Sequence, residues 1–198
     1  MYLDNLKDLK IILASRSPRR QQLLQGLGLT FEINTDIDVA EFFPAHLRNE
    51  QIALYLAELK AKAYEKFIGK DNLLITADTI VLIGDKILGK PADNEEAIEM
   101  LSQLSGNMHT VITAVCIWSH NLKSSFYDVS DVWFRVLSRE EIEYYVNNYA
   151  PFDKAGAYGV QEWIGYIGIE RVEGSYFNVM GLPIHRVYEE LKKFNKPG

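Results

Sequence analysis

Apolar residues follow two patterns along this 198-residue chain, one typical of buried strands and the other typical of amphipathic helices. Residues 73–83 form an almost continuous apolar run, which is typical of a strand covered on both faces of a sheet. A shorter apolar run at 10–14 predicts a second buried strand, and the β-rich segments 109–118 and 125–136 predict two more. These runs predict a sheet in the core.

Helical spacing occurs between the predicted strands. Steps of three and four separate the apolar residues Ile52, Leu56, Leu59, Ala63 and Phe67. Because such steps place side chains on one helix face, they predict a helix that begins after Asn49, as N-cap, and runs to about Ile68. Capping residues predict the other helices, which run from Pro18 (after Ser17) to about Gly26, from Asp93 to about Gly106, from Ser138 to Asn148, and onward from about Pro183.

Turn residues complete the pattern. Gly84 and Asp85 predict a hairpin from the long strand into 86–89, and a further strand is predicted near 163–172. Together the elements predict a mixed α/β fold in which helices flank a sheet. They do not predict the order of the strands.

Composition and charge narrow the function classes. The apolar fraction of 47 % and the charged fraction of 24 % are typical of a soluble globule, and we expect residues 1–198 to form a single domain. The net charge of −6 argues against nucleic acid as a partner, because binding its backbone needs a basic face, but it permits a small anion in a local cluster of cations. No run approaches the roughly 18 apolar residues of a membrane span. With no signal peptide apparent and Cys116 alone in an apolar run, we expect a cytoplasmic protein without a membrane partner.

The segment Ser15-Arg-Ser-Pro-Arg-Arg20 lies between the first predicted strand and the first predicted helix. Backbone N–H groups and the helix dipole attract anions at such a position, and arginine binds phosphate bidentately. One interpretation is therefore an anion site, and the other is a capped surface helix with solvated arginines. Both interpretations are open from the residues alone.

Asp78 is a carboxylate inside the apolar run 73–83. A buried carboxylate is costly unless it is paired, hydrogen-bonded or bound to a metal, so Asp78 is a candidate for chemistry. A structural hydrogen bond to a nearby turn is the alternative. If the sheet is parallel there, Asp78 and the Ser15 turn would share the carboxyl edge, where open α/β sheets bind ligands.

Three lysines are candidates for binding a polyphosphate. Lys60 and Lys62 are two positions apart on the second predicted helix and so point in different directions. Lys60 flanks the apolar stripe and is the better candidate, whereas Lys62 points more to solvent. Lys90 is held extended by the proline after it. Taken singly, each lysine is also explained as a solvated surface charge.

Small residues in the segment 153–161 allow backbone to approach a ligand closely, and Gln161 offers both a donor and an acceptor for the edge of a base. A tight turn would explain the same residues. The four histidines show no metal-ligand spacing, and the chain has neither a Gly-x-x-x-x-Gly-Lys-Ser/Thr loop nor a Gly-x-Ser-x-Gly motif.

Taken together, seven segments in order along the chain resemble the Maf family of nucleotide pyrophosphatases. The matching segments are Leu13-Ala-Ser-Arg-Ser-Pro-Arg-Arg20, Leu59-Lys-Ala-Lys-Ala63, Ala77-Asp-Thr79, Leu88-Gly-Lys-Pro91, Leu104-Ser-Gly106, Asp153-Lys-Ala-Gly-Ala-Tyr-Gly159 and Met180-Gly-Leu-Pro183. The resemblance implies an elongated α/β fold shared with inosine triphosphate pyrophosphatases, with two lobes around a cleft. Because the family is often dimeric, it also implies a homodimer.

The resemblance implies a role for each candidate residue. It implies that Asp78 is the proton acceptor and a metal ligand, that Ser15, Arg20, Lys60 and Lys90 bind phosphate, and that Arg19, Thr79 and Gln161 set substrate specificity. The subgroup similar to dTTP/UTP pyrophosphatases carries Arg, Thr and Gln at these three places, whereas the subgroup acting on methylated GTP tends to carry Trp, Gln and Glu. The implied activity is hydrolysis of dTTP and UTP to the monophosphate and pyrophosphate, which would remove non-standard or excess pyrimidine nucleotides.

The implied cofactor is a divalent cation, Mg²⁺ or Mn²⁺, since hard cations prefer oxygen ligands and bridge carboxylates to phosphates. One departure from the family concerns its ligands. The family usually has an acidic residue directly after an Asp-x-Asp stretch, but this chain continues Asp36-Ile-Asp-Val-Ala-Glu41. Asp38 and Glu41 are therefore both candidates for the second metal-ligand carboxylate.

Two other functions are consistent with such a chain. The family name refers to septum formation, so one alternative is a regulator of cell division that binds without catalysis; such a regulator would not require Asp78 together with the cationic cluster. The other is an enzyme that removes inosine triphosphate, against which the set Arg19, Thr79 and Gln161 argues.

Overall fold

The computed structural model describes residues 3–195. The strands are β1 (Lys10–Leu13), β2 (Phe31–Ile33), β3 (Asn72–Ile83), β4 (Lys86–Leu88), β5 (Met108–Ser119), β6 (Lys123–Phe134) and β7 (Ile169–Glu173). The helices are α1 (Pro18–Gln25), α2 (Glu50–Ala63), α3 (Asn94–Leu104), α4 (Arg139–Tyr149), α5 (Trp163–Gly168), α6 (Tyr176–Val179) and α7 (Ile184–Leu191). Short 3₁₀ turns lie at Asp4–Leu6, Glu65–Phe67 and Ala155–Ala157. The predicted mixed α/β class is confirmed.

Seven strands within residues 3–195 form a sheet in the order β2-β1-β3-β5-β6-β7, with β4 also paired to β3. Strand β1 runs parallel to both β2 and β3, and its last residue, Leu13, lies opposite Ile75. The β3–β4 and β6–β7 pairs are antiparallel. Strands β1 and β3 therefore run in the same direction, and β3 continues to Ile83, well beyond the end of β1.

The chain divides into two compact units. The first comprises residues up to Asp78, Thr113–Asp128 and Gly181 onward, and the second comprises Thr79–Ile112 and Val129–Met180. Strand β3 thus belongs to the first unit up to Asp78 and to the second from the next residue. None of the helices within 3–195 is both long and apolar enough to cross a membrane.

The core of the first unit is mostly aliphatic. Strands β1 and β3 contribute the fully buried Leu13 and Ile75, and α7 contributes Val187 and Leu191. Fully burying such a side chain stabilises a fold by about 1.5–3 kcal/mol. These buried residues lie on both β1 and β3. The two strands that lead to Ser15 and Asp78 are therefore tightly packed.

The second unit contains an aromatic cluster. The rings of His109, Phe134 and Tyr158 meet edge to face, with centroids 5.0 to 5.3 Å apart. The Tyr158 hydroxyl is 2.7 Å from Nε2 of His109, which satisfies one of the two ring nitrogens of this buried histidine. Through Tyr158, the cluster includes part of the segment that precedes Gln161.

Helix α2 begins after Asn49, as predicted, but the expected side-chain cap and the expected end of the helix are wrong. Asn49 has a φ of 44° and makes no side-chain capping bond, whereas an N-cap residue is normally extended; Oε1 of Gln51 instead accepts from the N–H of Arg48. Helix α2 also ends at Ala63, and the chain continues as a 3₁₀ turn instead of remaining helical to Ile68. Of the predicted apolar stripe only Ile52 and Leu56 are buried, whereas Leu59 is half-buried; the buried face of the helix continues instead through Ala57 and Ala61.

Residues 163–168 form helix α5 and not the start of the strand predicted near 163–172. Gly165 explains the difference, because a Cβ there would lie 2.1 Å from the carbonyl oxygen of Val160. Only glycine allows the helix this close to the preceding backbone. Strand β7 therefore begins at Ile169.

Candidate active site

The predicted anion-binding segment lies where the resemblance implies, between β1 and α1. Ser17 caps α1, since its side-chain oxygen accepts from the N–H of Arg20 at 3.4 Å, and Pro18 occupies the first helical position. Ser15 is buried, and its hydroxyl oxygen accepts from the N–H of Ser17 at 3.3 Å. This turn presents the start of a helix, where N–H groups and the helix dipole favour an anion.

Arg20 lies against backbone in the middle of β3. Its Nη1 donates to the carbonyl oxygen of Ala77 at 2.8 Å, and its Nε donates to that of Gly181 at 2.7 Å. Two carbonyls therefore fix the guanidinium beside Asp78, the residue after Ala77. A permanent positive charge is thus placed next to a buried carboxylate.

The expected parallel pairing of β1 and β3 is confirmed, but Asp78 lies inside β3 and not at its end. Leu13 and Ile75 are the last paired residues of the parallel β1–β3 ladder, and the N–H of Ala14 still donates to the carbonyl of Ile75. Ser15 and Asp78 follow these residues, so both lie beyond the carboxyl end of β1, while β3 itself continues to Ile83. Ligands bind beyond the carboxyl ends of strands in open α/β sheets.

Asp78 and Lys60 meet because β3 and α2 are in register with each other. Thr76 is buried, and its hydroxyl donates to the carbonyl oxygen of Ala57 at 2.8 Å. Residues two apart on a strand share a face, and residues three apart on a helix are neighbours. The next pair along the two elements is therefore Asp78 and Lys60, whose ammonium donates to Oδ1 of the carboxylate.

The two helix lysines differ as predicted. The side chain of Lys60 is 18 % exposed, and its Nζ also lies 2.8 Å from Oε1 of Glu41. The side chain of Lys62 is 66 % exposed and pairs with Glu65 in the next turn, at 2.6 Å. The geometry thus assigns Lys60, and not Lys62, to the buried carboxylate.

The structure separates the two candidate metal-ligand carboxylates. The side chain of Asp38 is 90 % exposed and lies 3.4 Å from Nη1 of Arg16. Glu41 instead contacts Lys60, the lysine that binds Asp78. The loop carrying both acids is fixed at Ile37, whose N–H and carbonyl each bond the hydroxyl of Tyr64, at 3.1 and 3.2 Å.

Burial changes the acidity of Asp78. The side chain is nearly inaccessible, and this desolvation raises the pKa of the Asp78 carboxyl, while the charges of Lys60 and Arg20 oppose the rise. A carboxylate with a raised pKa is a stronger base than an exposed one. Asp78 is therefore suited to accept a proton from a nearby water.

Within residues 3–195, no group of three or more His, Cys, Asp and Glu side chains is arranged to hold a metal. Glu41 and Asp78 nevertheless form a pair of carboxylates around one ammonium. Two carboxylates are a common protein contribution for Mg²⁺, which keeps waters and takes its remaining ligands from substrate phosphates.

The remaining predicted site residues belong to different units: Arg19 to the first, and Thr79, Lys90 and Gln161 to the second. Arg19 lies in the first turn of α1. In the second unit, Thr79 shares a face of β3 with Val81, against whose side chain Gly156 packs closely. The N–H of Gly156 donates to the carbonyl oxygen of Gly89, the residue before Lys90, at 3.0 Å. The second unit therefore brings the Lys90 segment and the segment leading to Gln161 together.

Gln161 belongs to a polar network. Its Nε2 lies 3.5 Å from Oε1 of Glu162, which also pairs with the buried Nζ of Lys154 at 3.1 Å. The hydroxyl of Tyr145 donates to Oε2 of Glu162 and accepts from the N–H of Gly159 at 3.1 Å. Burial, with a further effect of Glu162, raises the pKa of the Tyr145 hydroxyl, so it stays a neutral donor.

Sequence reasoning missed three members of this network, Lys154, Glu162 and Tyr145. Lys154 was visible in the quoted segment Asp153-Lys-Ala-Gly, but nothing in its spacing distinguishes a buried lysine from a solvated one. Tyr145 is on helix α4, and Glu162 follows Gln161. The only sequence signal for this network was the set of small residues in the segment 153–161, which allow other groups to approach the backbone closely.

The sequence of this chain is similar to one protein family over nearly its whole length. A family model described as Maf-like protein matches residues 10–194. A Porphyromonas gingivalis protein named dTTP/UTP pyrophosphatase is 55 % identical over 197 residues, covering 98 % of each chain. A Bacteroides fragilis protein of the same name is 53 % identical over 191 residues, covering 96 % of this chain and 99 % of that one.

The solved structure of a HAM1 protein from Coxiella burnetii matches with a TM-score of 0.42 at 17 % identity, covering 64 % of this chain and 73 % of that one.

Proposed function

The chain belongs to the Maf family, and we propose that it is a nucleoside triphosphate pyrophosphatase that hydrolyses dTTP and UTP to the monophosphate and pyrophosphate. The observation that carries the proposal is the contact between the buried Asp78 and Lys60, beside the guanidinium of Arg20. A buried base next to cations is the combination that hydrolysis of a polyphosphate requires. We treat residues 1–198 as one catalytic domain.

In the proposed reaction, Asp78 accepts a proton from a water that attacks the α-phosphorus. The bond from the α-phosphorus to the bridging oxygen breaks, and pyrophosphate leaves. Burial favours this role, because it raises the pKa of the carboxyl toward the working range of a general base. Lys60 and Arg20 hold the carboxylate in place and add positive charge for the substrate.

The carboxylates of Asp78 and Glu41 fit a divalent cation, Mg²⁺ or Mn²⁺. Both offer oxygen ligands, and they lie around the same ammonium, whereas Asp38 pairs with Arg16. We therefore propose Glu41, together with Asp78, as the metal-ligand set. A bound cation would neutralise phosphate charge and polarise the attacking water.

The phosphates bind, in this proposal, to the turn of Ser15 at the start of α1 and to three cations, Arg20, Lys60 and Lys90. Support comes from the helix N-terminus and from the position of Arg20 beside Ala77. Arg19, Thr79 and Gln161 set specificity toward the sugar and base. A homodimer in the cytoplasm remains a prediction from the sequence.

A panel of nucleotides tests the proposal. Phosphate release through a coupled inorganic pyrophosphatase should be fast with UTP and dTTP, slower with the other common triphosphates and with inosine triphosphate, and dependent on added Mg²⁺ or Mn²⁺. Preference for inosine triphosphate would support the alternative that the protein is an enzyme that removes inosine triphosphate. Inactivity on the whole panel with several metals would favour the non-catalytic regulator.

A further inference from the structure

We propose that Glu162 is a positioning residue that fixes the side-chain amide of Gln161, so that Gln161 offers its carbonyl oxygen to an N–H of the substrate base. The inference rests on the proposed function, because it takes Gln161 to contact the base of a bound nucleotide. It assigns Glu162, Lys154 and Tyr145 a part in substrate selection that the family resemblance does not give them.

The contact between Gln161 and Glu162 sets the direction of the amide. The Nε2 of Gln161 lies 3.5 Å from Oε1 of Glu162. A carboxylate only accepts hydrogen bonds, so the NH₂ end of the amide must face it. Rotating the amide by half a turn would place Oε1 against the negative charge, which is repulsive.

Glu162 is itself held on both oxygens. Its Oε1 lies 3.1 Å from the Nζ of Lys154, whose side chain is only 8 % exposed. Its Oε2 accepts from the hydroxyl of Tyr145, and that hydroxyl accepts from the N–H of Gly159. The carboxylate of Glu162 is therefore held in one position, and its negative charge sets the orientation of the Gln161 amide.

Gly159 provides the space for this arrangement. A Cβ at Gly159 would lie 2.7 Å from Cδ of Glu162 and 2.9 Å from Nε2 of Gln161. Both distances are too short for a real contact, so the two side chains pack directly on the glycine backbone. The close approach locates the NH₂ end of Gln161 next to Gly159.

The other end of the amide is covered by protein atoms, so a base can reach it only when those atoms move aside. Oε1 of Gln161 is buried and has no hydrogen-bond partner among residues 3–195. A buried carbonyl oxygen without a donor is destabilising, and an N–H from a ligand would remove that cost. The second hydrogen on Nε2 could at the same time donate to a neighbouring carbonyl of the ligand.

Uracil and thymine carry the matching groups. Their N3–H is a donor flanked by carbonyl oxygens, whereas N3 of cytosine is an acceptor. Gln161 held in this orientation therefore accepts from N3–H and opposes N3 of cytosine. A site built to bond one such group rejects an analogue that lacks it, because the buried group would stay unpaired.

The experiment compares kcat/KM for UTP and CTP in the wild type, in Glu162→Gln and in the control Glu143→Gln, a half-exposed acid that pairs with Arg139 on the same helix as Tyr145. An amide at 162 can accept or donate, so Gln161 can rotate and offer N–H to cytosine. We expect the UTP-to-CTP ratio to fall by about tenfold or more in Glu162→Gln and to stay unchanged in Glu143→Gln. A ratio within about twofold of wild type in a folded Glu162→Gln, or no preference for UTP in the wild type, would overturn the proposal.

A second measurement does not depend on a variant. In the NMR spectrum of the wild-type protein, the side-chain NH₂ of Gln161 should show a nuclear Overhauser effect to the α-protons of Gly159, and its absence would overturn the assigned orientation. The proposed function fails separately, if the wild type hydrolyses no nucleotide. Hydrolysis of UTP with an unchanged ratio in Glu162→Gln removes only the role of Glu162.

Discussion

The ammonium of Lys60 is shared between two carboxylates, with Nζ bonded to Oδ1 of Asp78 and 2.8 Å from Oε1 of Glu41. One carboxylate comes from a buried strand and the other from a loop, and the lysine comes from a helix. Three separate elements therefore converge on one small polar site. The contact also indicates which substitutions should lower activity or metal affinity while the protein stays folded.

Replacing Asp78 with Asn should leave the fold intact and remove nearly all turnover. Asparagine has the same shape and can accept a hydrogen bond from Lys60, but it cannot take a proton and is a poorer metal ligand. Loss of a general base typically slows a reaction by about 10²- to 10⁴-fold. Steady-state rates with UTP, compared with the exposed hairpin variant Asp85→Asn, provide the check; a rate above about a tenth of wild type would exclude Asp78 as the base.

Lys60→Ala should cut kcat/KM for UTP strongly, and Lys62→Ala should change it little. Lys60 is the desolvated partner of Asp78, whereas Lys62 is an exposed charge whose loss typically changes stability by within about 0.5 kcal/mol. Rates should be measured at two salt concentrations, because screening weakens long-range attraction more than contact. Greater damage from Lys62→Ala would contradict the assigned roles.

Glu41→Gln should weaken Mn²⁺ binding, and Asp38→Asn should not. Glu41 lies beside the Lys60–Asp78 pair, whereas Asp38 is exposed and pairs with Arg16. Titration of Mn²⁺ into each protein, followed by electron paramagnetic resonance of the free ion, measures the affinity without substrate. Equal effects of the two substitutions on Mn²⁺ affinity, or a larger effect of Asp38→Asn, would show that Glu41 is not the metal-ligand carboxylate of this loop.

His109 should make the protein less stable in acid. Burial lowers the pKa of His109 to about 4, from an ordinary value of 6.5. Between these values the unfolded chain binds a proton that the folded chain does not, so the free energy of unfolding falls as the pH falls from about 6.5 to 4, by about 3 kcal/mol in all. Urea unfolding of wild type and His109→Gln between pH 7 and 4 gives the slopes, and His109→Gln should show the shallower one. Parallel slopes would show that His109 does not contribute.

Much of the first unit was predictable from its residues. The continuous apolar run of 73–83 could only be buried on both faces, and the structure confirms it as β3. The phase of α2 also separated Lys60 from Lys62, because a helical period is fixed by geometry. Patterns that depend on neighbours along the chain were therefore sufficient for these elements and side chains.

Features set by distant or local backbone contacts were not predictable. Helix α5 depends on the close contact between Gly165 and the backbone of Val160. The spacing of apolar residues along the chain does not indicate such a contact. The choice between Asp38 and Glu41 depends on where the loop is fixed, and that is decided by Tyr64. Glu162 was missed because its partners, Lys154 and Tyr145, come from two other places in the chain.

Hydrolysis of UTP in oxygen-18-labelled water tests the central claim most directly, since the first products and the location of the label report which phosphorus the water attacks. Attack at the α-phosphorus, with Asp78 as the base, predicts UMP and pyrophosphate as the first products and the label in UMP. UDP and orthophosphate as the first products, or the label in pyrophosphate, would contradict the account.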